Sequence, residues 1–318
     1  MIRRLPILTA TLLCLLITST AAQAEITAER TEAGVTIKID GKLFTKYVTQ
    51  SNNKPILYPV IGPTGKAVTR NYPMTAATAG ERADHPHHRS FWFTHGDVNG
   101  VSFWHENPGA GSIVHRKFVK VSGGKRAVIV TQNDWIDAKG KKQCEDVRTL
   151  TFFADGDTRT IDFEITLKAT AGDVKLGDTK EGCFGIRVAG DMKPDSKKGG
   201  KLINSEGQVD KNAWGKAAAW VDYHGPVEGE RLGIAIMNHP SSFRYPTYWH
   251  VRTYGLFAAN PFGLHHFKGS NQVDGSHTIP SGKSITLRYR VLLHKGDHKA
   301  GKVAESFAAY AKESKGVK

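Results

Sequence analysis

"TIDFEITL", residues 160–167, alternates without a break. Ile161, Phe163, Ile165 and Leu167 fall on one face, and Thr160, Asp162, Glu164 and Thr166 on the other. A period of two is the signature of a half-buried strand. Similar runs recur at Gly34–Asp40, Ala127–Thr131, Arg148–Phe153 and Ser284–Leu293. Turn signals punctuate them: Asp40-Gly41, Ser122-Gly123-Gly124, Asp155-Gly156-Asp157 and Pro280-Ser281-Gly282. A helical stripe is carried only by Lys302–Glu313, where Val303, Phe307 and Tyr310 share one side. The pattern predicts an all-β protein, a large antiparallel β-sandwich with a C-terminal helix.

The chain opens with MIRRLPILTATLLCLLITSTAAQA. Two arginines, an apolar run too short to span a bilayer and an Ala22-Gln23-Ala24 cleavage signal predict a signal peptide over 1–24. Leu13 precedes Cys14, which argues against a lipid anchor. The expected mature protein is a single β-sandwich domain over 25–318, exported to the periplasm or beyond and without a membrane span. The formal charge of +14 arises from scattered lysines, and no basic-aromatic repeat or nucleic-acid motif accompanies it. Phosphate loops, dinucleotide fingerprints and serine-nucleophile motifs are also missing from the sequence. Cys144 and Cys183 are too few for a disulfide scaffold, and whether they pair is left open.

Chemistry concentrates in "DHPHHRSFWFTHGDVNGVSFWHE", residues 84–106, which holds His85, His87, His88, His95 and His105 among fourteen histidines. Asn99-Gly100 predicts a type I′ turn pairing Val98 with Val101. Extending that register puts Trp92, Val98, Val101 and Phe103 on a core face. It puts Phe91, Phe93, His95, Asp97, Ser102, Trp104 and Glu106 on a ligand face. Pro86 biases His85 towards an extended conformation, so that His85 and His87 point one way and His88 the other. A His-x-His pair of this kind suits a divalent transition metal.

A second concentration is "NHPSSFRYPTYWHVRTYGLFAANPFG", residues 238–263. Read as one strand, 249–257 sets His250, Arg252 and Tyr254 on a common face. Imidazole, guanidinium and phenol together provide proton transfer, charge stabilisation and a stacking ring. Glu181, in Lys180-Glu181-Gly182-Cys183-Phe184-Gly185-Ile186-Arg187, is positioned with Arg187 to reach a cleft beside glycines that permit close approach.

His85-Pro-His-His-Arg89, Trp92–Val101, Glu181–Val188 and Trp249–Gly263 together resemble a bacterial family labelled PmoA-like, or DUF6807, common among polysaccharide degraders. Ser90 stands where the resemblance implies glycine. The label is borrowed from a methane monooxygenase subunit that is an integral membrane protein, and it carries no such activity here. The resemblance implies a mutarotase-like supersandwich and a sugar-processing setting.

Three functions follow from these residues. The first is a secreted carbohydrate-active enzyme of epimerase, lyase or hydrolase type. In it His88 and His250 serve as acid and base, Arg89 and Arg252 stabilise negative charge, and Asp97 or Glu181 orients an imidazole. Trp92, His95, Trp104 and Tyr254 hold the sugar. The second is a metalloenzyme built on His85 and His87 with His95 or His250. The third is a glycan-binding module without turnover.

Overall fold

The computed structural model describes residues 24–78 and 80–314. The expected signal peptide therefore lies outside the described residues, apart from Ala24. In chain order the strands begin with β1 (Ile26–Thr31), β2 (Gly34–Ile39), β3 (Lys42–Ser51), β4 (Lys54–Val60), β5 (Phe91–His95) and β6 (Ser112–Ser122). They continue with β7 (Ala127–Ile136), β8 (Lys142–Asp155), β9 (Thr158–Lys168), β10 (Val174–Leu176), β11 (Gly182–Arg187) and β12 (Lys201–Asn204). The last six are β13 (Trp220–Val227), β14 (Glu230–Asn238), β15 (Tyr248–Val251), β16 (Leu256–Asn260), β17 (His277–Ile279) and β18 (Ser284–Lys295). Two short helices follow the site segments, α1 (Leu264–Lys268) and α2 (Val303–Tyr310). Strands make up 49% of the described residues and helices, 3-10 turns included, 7%, so the all-β reading holds.

Two eight-stranded antiparallel sheets carry the fold. The first runs β1-β2-β3-β4-β5-β11-β16-β15 and the second β12-β13-β14-β18-β9-β8-β7-β6, with β10 and β17 forming a separate pair. The predicted alternation of β9 is what joins the sheets. Ile161, Phe163, Ile165 and Leu167 are buried. Phe163 meets Phe91, Phe93 and Phe184 of the first sheet, and Phe184 stacks on Tyr289 of β18 at 4.8 Å. Each such side chain removed from water contributes about 1.5–3 kcal/mol. On the outer face Asp162 and Glu164 lie opposite Arg290 and Arg288 in register and bind them at 2.6 and 2.8 Å. The stripe on α2 packs as expected, with Val303 and Tyr310 buried over Trp220, Met237 and Leu292.

Two local expectations are corrected, and one open question is answered. The Asn99-Gly100 turn forms, with both residues at positive φ and Val98 bridged to Val101. It does not propagate, because β5 pairs instead with β4 and β11. The two faces of β5 are consequently reversed: Phe91 and Phe93 enter the inter-sheet core, whereas Trp92 turns outward. The stretch 249–257 is a hairpin rather than one strand, since Gly255 at φ +106° turns the chain and its N–H closes on the Arg252 carbonyl at 3.1 Å. Finally, Cys144 and Cys183 are both free and buried.

Candidate functional site

The outer face of the first sheet carries the row Ile56, Trp92, Gly185, Ala258 and His250, one residue from each of five adjacent strands. Trp92 and His250 are thus three strand steps apart, about 14 Å. The Trp92 indole lies over Gly185, where a Cβ would come within 2.6 Å of the ring. Buried Trp92 and Trp104 form the floor. They are a foundation rather than the exposed sugar platform expected of them.

On this floor sits the histidine turn. It is not extended: His85 adopts φ +44°, and the His88 N–H closes on the His85 carbonyl at 3.0 Å. All three imidazoles are drawn together. His88 stacks on Trp92 and on His85, and His87 meets the edge of His88 at 4.5 Å and His105 at 5.0 Å. Beneath them, buried Arg70 makes five hydrogen bonds: to the Arg82, His85 and His88 carbonyls and to the carbonyl and Oδ1 of Asp84. Arg187 adds a bond to Asp84 Oδ1 at 2.8 Å and one to His88 Nδ1 at 2.9 Å. A guanidinium only donates, so His88 Nδ1 accepts and its proton resides on Nε2. Burial, then the positive surroundings of His87 and Arg187, push His88 well below the usual imidazole range. Burial raises the Asp84 carboxyl, but Arg187, His85 and Arg70 outweigh it and hold the group ionised.

The second constellation meets this turn directly. The Tyr254 ring, at the tip of the 252–255 turn, stacks on His85 at 5.4 Å and 9°. Arg187 lies over its other neighbourhood at 4.9 Å. His85 therefore stands between His88 and Tyr254 with its side chain 43% exposed and Nδ1 3.3 Å from Asp84 Oδ1. The His87 imidazole makes no hydrogen bond among the described residues. Burial, followed by the charges of His105 and Lys54, lowers it to about 4. Further along, Glu181 is held by Lys180 at 2.5 Å and acts electrostatically on His250, His105 and Tyr254. Arg252 lies over Trp214 at 4.8 Å and has no carboxylate partner among the described residues.

Several expected roles fall to other residues. His250 is buried with both nitrogens engaged: Nδ1–H donates to the Lys180 carbonyl at 2.7 Å and Nε2 accepts from Arg252 Nε at 3.3 Å. Burial lowers it to about 4. His88 and His250 are thus fixed neutral supports, not an accessible acid–base pair. The Arg89 fork is closed on Glu106 at 2.6 and 2.8 Å, where buried Lys54 also binds, so Arg187 supplies the guanidinium at the turn. Asp97 accepts the Gly100 N–H at 2.8 Å and caps its turn, so Asp84 is the orienting carboxylate. His95 is sealed in the interior with Nε2 on the Gly177 carbonyl at 2.9 Å, out of reach of any ligand. Glu181 and Arg187 stand at opposite ends of β11. Ring contacts and a carboxylate, rather than converging nitrogens, define His85 and His87. The metal-type grouping among the described residues is Asp222, His224 and His298, on the other sheet.

Sequence reading missed Asp84, Arg70 and His105 as site residues. The His-x-His pair and the histidine density pointed to the turn, but nothing local to Thr69-Arg70-Asn71 signals the guanidinium that holds it. Hollows of about 760 and 690 Å³ lie elsewhere, beside α2 and beneath Arg126. The histidine turn borders neither of them; its site is the surface strip, or groove, where half-exposed His85 meets Tyr254.

A family model described as a family of unknown function, DUF6807, matches residues 34–308. The chain belongs to that family. The DUF6807 match takes in the second sheet, the first sheet apart from β1, and every residue of the groove. No curated protein matches the chain. Among solved structures it is similar to a glycoside hydrolase family 97 enzyme from Pseudoalteromonas sp., at 10% identity and TM-score 0.33, over 86% of this chain and 34% of that one. It is likewise similar to the Slr1438 protein from Synechocystis sp., at 11% identity and TM-score 0.37, over 90% and 100% of the two chains. An alpha-galactosidase from Lactobacillus brevis aligns at 9% identity and TM-score 0.37, over 90% and 41%. The DUF6807 chain spans about a third of the length of the glycoside hydrolase it matches. Among its described residues, no helix is long and apolar enough to cross a membrane.

Proposed function

We propose that this DUF6807 protein is an exported carbohydrate-active enzyme that moves a proton at a sugar, with His85 as the acid–base group. The observation that carries the reading is the set Asp84, His85 and Tyr254. A half-exposed imidazole has one nitrogen beside a carboxylate fixed by two arginines, and its face rests on a phenol from the second constellation. A half-exposed imidazole set beside a fixed carboxylate suits general acid–base work. Neutral His87 and the Tyr254 hydroxyl border the same space, and Glu181, Lys180, Arg252 and His105 add donors and acceptors of both kinds along it. A ligand rich in hydroxyl groups matches such a wall, whereas a phosphate ligand would call for a glycine-rich cradle. Epimerisation and β-elimination at an oxidised sugar require a base to remove a C–H proton beside the carbonyl, and hydrolysis requires an acid to protonate the leaving glycosidic oxygen; an imidazole can serve in either sense.

The test is incubation of the mature chain in D2O with a panel of native and 3-keto glycosides, read by mass spectrometry for product and solvent deuterium. His85→Ala is expected to lower turnover by about 10²–10⁴-fold without moving the melting temperature. Tyr254→Phe is expected to retain the fold and lose a smaller part of the activity. Saturable binding without product or deuterium uptake, equal in the His85→Ala variant, would make the protein a glycan-binding module instead.

A further inference from the structure

The outer face of the second sheet carries a polar group that the proposed sugar site does not use. Asp222 and His224 share one side of β13, His294 lies on β18, and His298 lies on the turn leading into α2. Register sets His224, Gly233 and His294 side by side. His294 crosses β14 to reach Asp222 because Gly233 has no side chain: a Cβ there would lie 2.1 Å from the imidazole. Gly301 covers the ring, with its own Cβ position 2.3 Å from Nδ1. Thus held, His294 donates from Nε2 to Asp222 Oδ2 at 2.6 Å and from Nδ1 to the Lys295 carbonyl at 3.0 Å.

Fully buried Asp222 presents its second oxygen, Oδ1, to His224 Nδ1 at 2.5 Å. The His298 ring lies 6.0 Å from that of His224, and its Nδ1 is buried with no hydrogen-bond partner. One ligand atom from each of Asp222, His224 and His298 lies within 4.8 Å of the other two. Asp297 adds negative charge close enough to act on both His224 and His298. A buried nitrogen without a partner, on an imidazole grouped with a carboxylate and a second imidazole, is a cost that a bound cation removes.

We propose that Asp222, His224 and His298 bind a divalent transition-metal ion of the zinc class, with His294 as the positioning residue that fixes the carboxylate. Two imidazoles and one carboxylate are a ligand set zinc accepts, with a fourth position left for water. Ligand bonds of about 2.0–2.2 Å spread neighbouring donor atoms to about 3.3 Å in a tetrahedron. The His224 nitrogen therefore moves back from Asp222 by less than 1 Å, and the ion takes the place of the proton they share. A carboxylate whose other oxygen is already bound to His294 is held for this role. Because His298 belongs to the turn before α2, the ion would tie that turn and helix to the sheet.

The experiment uses the full mature chain without an affinity tag, stripped by chelator and titrated with Zn2+ by calorimetry, with metal content and melting temperature measured alongside. One equivalent of zinc is expected, with a rise in melting temperature. His298→Ala, at a partly buried position outside the sheet, should lose binding at least tenfold, and Asp222→Asn likewise. His294→Gln should keep the stoichiometry and weaken affinity by about 10–100-fold. The double variant His85→Ala/His87→Ala should bind as the native protein does. Absence of binding at millimolar zinc, or undiminished binding in His298→Ala, would overturn the assignment. Loss of binding in the His85/His87 variant alone would overturn it too, moving the metal to the histidine turn.

Discussion

Glu106 illustrates how a residue read as ligand-facing can be structural. Burial raises its carboxyl, but Arg89 and Lys54 prevail and hold it at about 2. Lys54 is fully buried, and burial lowers its ammonium to about 8 despite the partner. Glu106→Ala would leave two buried cations uncompensated, and a loss of about 3–5 kcal/mol is expected in urea unfolding. Ser90 is the opposite case. At φ +54° it adopts a conformation glycine tolerates best, yet its hydroxyl bonds Thr69 at 2.8 Å in the interior. Relief of about 1 kcal/mol of backbone strain on Ser90→Gly is offset by a hydrogen bond of about the same worth. The unfolding free energy should therefore change by less than about 1 kcal/mol. Residue types were legible in the sequence: His85, Tyr254, Arg252 and Glu181 all border the groove. Roles were not, because hydrogen bonds from distant Arg70 and Arg187 decide which imidazole is locked and which is left accessible.

Strands proved readable where one face is dry and the other wet, as in β9. They misled where neighbours determine the faces. Trp92 belongs to the groove because β5 lies between β4 and β11, a pairing with no local signal. The 249–257 hairpin was hidden by a residue pattern that alternates on both sides of Gly255. These pairings make the groove sensitive to the blank position in its floor. Gly185→Ala would place a methyl group within the Trp92 ring contact, displacing the indole and the His88 stacked on it. A stability loss of about 1–3 kcal/mol is expected from overpacking, measured by thermal melting. Loss of turnover should accompany it even where the protein remains folded.

Across the whole molecule, the sandwich class and terminal helix followed from periodicity, while strand order did not, because pairings such as β5 with β11 bridge nearly a hundred residues. Burial of many imidazoles also has a collective effect. His95 and His250 are both lowered from 6.5 to about 4 by burial, and His88 falls well below 6.5. Above pH 6.5 folded and unfolded chains alike hold them neutral. Below it the unfolded chain takes up protons that the folded chain refuses, so stability falls as pH drops from 6.5 to about 4. His95 and His250 each contribute on the order of 3 kcal/mol to that decline, and His88 acts in the same direction. Urea midpoints at pH 7, 5.5 and 4 should decrease in that order, and His95→Asn should flatten the slope.

Arg70 gives the groove a character of its own. With five acceptors gathered around one enclosed guanidinium, the ordering of the imidazole turn is completed when the chain folds, before any sugar arrives. On the proposed function, an incoming sugar would meet walls already held in place by Arg70. Discrimination between epimers would then rest on which hydroxyl fits that surface.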